Sequence, residues 1–168
     1  MHIVRRGTSR AATFHDGRDR EGFLRWLGRY AVRYECRVHA YVLMGNHAHL
    51  LATGSHKGGL EALMQALFAR HERYVNDAHG RAAALWEPRY EAAAIHVRRQ
   101  LLLCMRYIEL NPVRANLVRD PRAYRWSSHA ANAYGCPDPL LTPHPVYFAL
   151  GRTPAARQAA YLRMIGCG

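Results

Sequence analysis

From Arg18 to Tyr34 the apolar residues Phe23, Leu24, Leu27, Tyr30, Ala31 and Tyr34 recur at helical spacing, with arginines between them. That pattern predicts an amphipathic helix. The rhythm then changes. Cys36 to Leu43 alternates, with Val38, Ala40 and Val42 on one face and Arg37, His39, Tyr41 and Leu43 on the other. Gly45-Asn46 suits a tight hairpin. His47 to Thr53 is then the returning strand. Ala48, Leu50 and Ala52 share its core face, and His47, His49 and Leu51 share the opposite one. His2 to Arg6 is short enough for one more strand.

Leu60 to Asn76 reads as a second amphipathic helix, facing inward through Leu60, Leu63, Met64, Leu67 and Phe68. Pro88 breaks the segment that follows, and a further strand is expected within Tyr90 to Val97. Arg98 to Leu110 is a third helix, with Leu101, Leu102, Met105 and Ile108 as core positions. Asn111-Pro112 interrupts it and can open a short helix through VRANLV. WSSHAANAYG is expected to hold another. The proline-bearing stretch from Cys136 reads as a surface arm returning along the body, followed by a helix from Pro154 to Ile165. The order strand, helix, strand, strand, helix, strand is that of an α+β, ferredoxin-like fold.

Composition narrows the function. The 168 residues carry a formal charge of +12, and Lys57 is the only lysine. A positive surface made of arginine favours polyanions, because the guanidinium fork fits phosphate oxygens. Arg5, Arg6, Arg10 and Arg114 each stand beside turn-like or cap-like sequence and are candidate phosphate contacts; each taken alone also reads as a solvated arginine. No apolar run approaches the length of a membrane span. MHIVRRGTSR lacks the apolar stretch of a secretory signal, so a cytoplasmic protein is expected. Cys36, Cys104, Cys136 and Cys167 form no CxxC pair, which argues for incidental thiols rather than a zinc site or a disulfide framework.

The stretch MGNHAHLLAT, Met44 to Thr53, puts two imidazoles on one strand face. They are half of a divalent-metal site, or polar residues at the wet edge of a strand. The helix ending CMRYIELNPVRANLV places Tyr107 four residues before Asn111, on one face. A phenol is a weak nucleophile at neutral pH, but it can attack a phosphodiester that is polarised by a metal and held in line. Tyr107 has a plainer reading as a packed ring beside Met105 and Ile108. Asn111 is either a third ligand or the cap of the next helix.

RVHAYVLMGNHAHLL, RYIELNPVRANLVRDP and YRWSSHAA, together with HIVRRGTSRAATF, LMQALFARHERYVNDAHG and LWEPRYEA, resemble the small tyrosine transposases of the HUH class. The similarity is strongest to the branch associated with repetitive extragenic palindromes, and it spans residues 2–135. The resemblance implies a catalytic domain over 1–135 with a helical C-terminal arm over 136–168. It implies an RNA-recognition-like sheet holding His47 and His49 as ligands of Mg²⁺ or Mn²⁺. It also implies Tyr107 as the nucleophile that becomes joined to a DNA 5′-phosphate, and single-stranded DNA beside hairpins as the substrate. Asn111 stands where related transposases often have a metal-binding glutamine. Gly45 replaces a more usual proline, and Glu87-Pro88 a more usual Gln-Gly. A replication initiator or relaxase using the same chemistry, and a non-catalytic nucleic-acid-binding module, are the competing classes. Monomer and homodimer are both compatible with the resemblance.

Overall fold

The computed structural model describes residues 1–166. Cys167 lies outside them. Four strands form one antiparallel sheet: β1 (His2–Arg6), β2 (Cys36–Leu43), β3 (His47–Gly54) and β4 (Glu91–Ala93). Their spatial order is β2-β3-β1-β4. α1 (Gly17–Arg33) lies between β1 and β2 in the chain, and α2 (Gly59–Ala78) between β3 and β4. Asp16 caps α1, its carboxylate accepting from Asp19 N at 3.0 Å. The expected strand within Tyr90 to Val97 is present but only three residues long.

The sheet is covered on both faces. Phe23, Leu27, Leu63, Leu67 and Phe68 of α1 and α2 pack on Ile3, Tyr41, Leu43, Ala48 and Leu50. On the other face α3 (Arg98–Glu109) lays Leu101, Met105 and Ile108 against Ala40, Val42 and Leu51. The chain continues through α4 (Asn111–Arg114), α5 (His129–Tyr134), α6 (Pro145–Phe148) and α7 (Pro154–Ile165). Among the described residues no helix is long and apolar enough to cross a membrane.

Two expectations from the pattern are corrected. The alternation assigned to β2 fails at His39, where the register with β3 shifts between Val38 and Ala40. Val38 therefore joins Tyr41 and Leu43 on the α1/α2 face, while Ala40 and Val42 face α3. His39 is buried at the bulge, with Nδ1 2.6 Å from Thr142 O and Nε2 2.9 Å from Thr53 Oγ1. The second correction concerns the arm. Most of the stretch from Cys136 to Thr153 is exposed or half-buried, but Tyr147 is buried in the same cluster as Met105 and Ile108, beside Tyr161 and Ile165 of α7, so the arm also supplies core.

The chain after α4 also closes the sheet's β2 edge. Unpaired edge backbone invites pairing with other chains and must be satisfied or covered. Leu43 N donates to Trp126 O and Ser128 N to Tyr41 O. Tyr41 N donates to Ser128 Oγ, Asn132 Nδ2 to His39 O, and Thr142 N to Val38 O. WSSHAAN thus acts as an edge cover for β2.

Candidate active site

β3 is an interior strand, flanked by β2 and β1. The two histidines therefore do not stand at a wet strand edge. His49 is 1% exposed and His47 is half-buried. Their rings lie edge to face with centroids 5.0 Å apart. In β1 the same face of the sheet carries His2, Val4 and Arg6, since Ile3 points into the α1/α2 core. The His2 ring meets His49 edge to edge, centroids 5.3 Å apart, with its Nε2 3.1 Å from His49 Nδ1.

α3 crosses this face and brings Tyr107 to its rim. Met105 and Ile108 anchor the helix, and Tyr107 between them turns outward with 39% of its surface exposed. The Tyr107 ring is edge-on to His49 at 5.6 Å and to His2 at 6.0 Å. The packed-ring reading of Tyr107 is thus not what the helix presents. A cleft of about 670 Å³ opens beside it, with His2, Arg6, His49, Glu91, Cys104 and Tyr107 among its walls.

Asn111 follows one turn later. Leu110, not Asn111, occupies the N-cap position of α4, and no side chain caps that helix. The Asn111 amide instead reaches back, Nδ2 donating to Tyr107 O at 3.0 Å, and its side chain also hydrogen-bonds His47. The capping role is corrected accordingly. Asn111 ties the Tyr107 turn to the histidine strand.

Burial dominates the electrostatics. It pushes the His49 imidazole down to about 3, with His47, His2 and Arg6 adding repulsion against a further positive charge. His47 is lowered as well, by burial first and Arg6 second, with the Asn111 bond opposing. Both rings are therefore neutral at pH 7 and carry a lone pair, the form that ligates metal. His47 Nδ1 is 2.7 Å from Asn46 Oδ1, which accepts the Nδ1 proton and leaves Nε2 as the donor atom. Among the described residues no group of three or more His, Cys, Asp or Glu converges as an ion site. The donor set that fits a divalent ion is two neutral imidazoles with an amide oxygen from Asn111, the remaining positions falling to substrate oxygens and water.

The four candidate arginines separate. Arg114 places its guanidinium 5.0 Å over the Tyr107 ring. Arg6 lines the cleft and approaches Glu91 at 3.9 Å. Arg10 is exposed on a short helical turn, with its carbonyl accepting from Asn46 Nδ2 at 3.3 Å. Arg5 falls on the opposite face, over the Phe68 ring and donating to Glu87 O at 2.9 Å. The structure does not bring Arg5 to the histidines, because adjacent residues of a strand point to opposite faces.

Two site residues escaped the sequence reading. His2 was legible only as a strand start, and nothing local indicated that β1 would pair with β3. Glu109, two residues after Tyr107, is fully buried and accepts from Ser128 Oγ at 2.7 Å, Asn132 Nδ2 at 2.7 Å and His129 Nδ1 at 3.1 Å. An ionisable residue inside an otherwise apolar helical face was the available signal.

One buried and one half-buried histidine thus share a sheet face with an exposed tyrosine on the crossing helix. The family model described as "Transposase IS200 like" matches residues 1–111. The chain belongs to this family, the single-tyrosine transposases of the HUH class. A solved structure described as a REP-associated tyrosine transposase bound to a REP hairpin is similar in fold. That likeness has a TM-score of 0.61 at 15% identity and covers 85% of this chain and 84% of the other. Comparison with curated proteins gave no match.

Proposed function

We propose that this protein is a metal-dependent endonuclease and strand transferase that cuts and rejoins single-stranded DNA beside hairpins, through a 5′-phosphotyrosine link. The observation that carries the reading is the 5.6 Å approach of Tyr107 to His49 within one chain. The β1α1β2β3α2β4 order, with β1 and β3 central, supports the ferredoxin-like reading of the fold. The REP hairpin held by the structurally similar transposase supports a hairpin-bearing strand as substrate. Residues 1–135 form the catalytic unit in this reading, and 136–168 complete its core. A DNA substrate is consistent with the cytoplasmic location expected from the sequence.

His47 and His49, with Asn111, would hold Mg²⁺ or Mn²⁺. When bound, the ion supplies Lewis-acid polarisation of the scissile phosphate. The chain's own groups do the rest. The Tyr107 hydroxyl oxygen attacks phosphorus and its proton is lost to solvent. The new O–P bond forms as the P–O3′ bond breaks, and the departing 3′ oxygen takes up a proton. The phosphotyrosyl bond keeps the phosphodiester's energy, so a second 3′-hydroxyl can reverse the step and join a new end. Arg114 beside the ring and Arg6 in the cleft offset phosphate charge.

The test is covalent trapping. Incubate the protein with labelled hairpin DNA and Mn²⁺, denature, and map the labelled peptide by mass spectrometry. The expected adduct lies on Tyr107, and Tyr107→Phe, which keeps the ring and deletes the nucleophile, abolishes cleavage while hairpin binding persists. An adduct on another tyrosine, or turnover by the phenylalanine variant, overturns the assignment.

A further inference from the structure

We propose that His2 is a positioning residue: it accepts the Nδ1 proton of His49 and so fixes the tautomer that leaves His49 Nε2 free to ligate. This rests on the metal-dependent reading given above for its purpose, but not for its geometry.

The geometry begins with register. Val4 lies opposite His49 and His2 opposite Leu51, so His2 is the diagonal neighbour of His49 on the same sheet face. The two rings lie nearly coplanar, 14° between planes, and meet edge to edge. That brings His2 Nε2 to 3.1 Å from His49 Nδ1. Two neutral imidazoles can share only one proton across such a contact. If His49 accepted it, its own proton would sit on Nε2, and that nitrogen could not bind a cation. If His49 donates, Nε2 carries the lone pair and is free to ligate.

His2 is not itself a third ligand in this arrangement. Its Nε2 is committed to His49, and among the described residues the histidines, cysteines and carboxylates do not converge in threes. The parallel with His47 supports the assignment. There Asn46 Oδ1 accepts the Nδ1 proton at 2.7 Å. Each strand-borne imidazole thus has an acceptor behind it, from the turn for His47 and from β1 for His49. A flipped His49 ring would lose the hydrogen bond to His2, because Cδ2 would take the place of Nδ1.

The test has two readouts, neither of them cleavage. Long-range ¹H–¹⁵N NMR of the metal-free protein at neutral pH reports which nitrogen of His49 is protonated. The wild type is expected to show the Nδ1–H form, and an Nε2–H form overturns the proposal. The second readout is affinity for Mn²⁺ alone, measured by titration calorimetry or by the loss of free-ion paramagnetic resonance. His2→Phe keeps an aromatic ring and removes the acceptor; it should weaken Mn²⁺ binding by roughly 10- to 100-fold. His2→Gln, whose side-chain oxygen can accept, should recover most of that loss and keeps the test alive if the phenylalanine variant folds poorly. Equal Mn²⁺ affinity in His2→Phe and wild type overturns the proposal while leaving the histidine metal site standing. A wild type that shows Nδ1–H but binds no Mn²⁺ upholds the positioning contact and overturns the metal reading instead.

Discussion

Removing the Glu109 carboxylate is expected to unfasten the helix that carries Tyr107. Glu109 is 0% exposed and receives three donors, from Ser128, His129 and Asn132. Those donors have further duties. Ser128 Oγ accepts from Tyr41 N, Asn132 Nδ2 also bonds His39 O, and Asn132 O accepts from the Tyr147 hydroxyl at 2.6 Å. Glu109→Ala leaves buried donors without a partner, each worth roughly 1–3 kcal/mol, and some of that is recovered by relaxation or a trapped water. Breaking a buried charged network by deleting one member typically costs about 3–5 kcal/mol. With about 2–4 °C lost per kcal/mol in a domain of this size, the midpoint of thermal unfolding should fall on the order of 10 °C. Urea unfolding followed by circular dichroism gives the free energy directly, provided the slope with denaturant is unchanged. Glu109→Gln keeps one acceptor oxygen and should lose less. A Glu109→Ala protein destabilised by under about 1 kcal/mol would refute the argument, since the donors would then have found other partners.

Stability should also depend on pH through His71, which is buried with neither ring nitrogen partnered and is pushed down to about 3 by burial. The unfolded chain takes up that proton near the usual value of about 6.5 and the folded chain does not, so stability falls as pH drops from about 6.5 toward 3. The loss from this group is about 2 kcal/mol at pH 5, and His71→Leu should flatten that part of the curve in urea titrations; an unchanged slope would assign it elsewhere. Arg114→Ala should weaken hairpin binding uniformly across sequences and lower the slope of log affinity against log salt by about 1. An unchanged slope in fluorescence anisotropy would remove Arg114 from the phosphate contacts.

What could be read in advance followed the range of the interactions involved. α1, α2, α3 and α7 announce themselves because one helical face is apolar and the other is rich in arginine, a purely local pattern. His47 and His49 could be placed on one face for the same reason, as strand parity is local. β2 misled because both sheet faces are buried, so alternation no longer separates inside from outside, and the bulge at His39 and its neighbours answer to partners 87 to 103 residues away. (Ser128 bonds Tyr41 with a separation of 87, and Asn132 bonds His39 with 93.) Tyr147 lies in a stretch whose prolines suggested an exposed arm, yet its ring is buried beside α3 and α7, which only tertiary contact could show. Arg5 and Arg6 looked equivalent until the pairing of β1 sent one to each face. His2 was silent because its meaning depends on a strand pairing the sequence does not name, and Glu109 showed only an ionisable residue on an apolar face, without its partners.

The bonds that tie α3 to its surroundings bear on how many copies of the protein one cut needs. Tyr107 sits two residues before a carboxylate that is fastened to α5 of the same chain, and through Ser128 and Asn132 to that chain's own β2. Lending the helix to a second molecule would mean breaking every one of those links. Under the proposed chemistry these links favour a single polypeptide as the kinetic unit, and that is the expected outcome of two measurements. Cleavage scales linearly with enzyme concentration, without a dilution threshold, and a mixture of a histidine-deficient and a tyrosine-deficient protein stays as inactive as either alone.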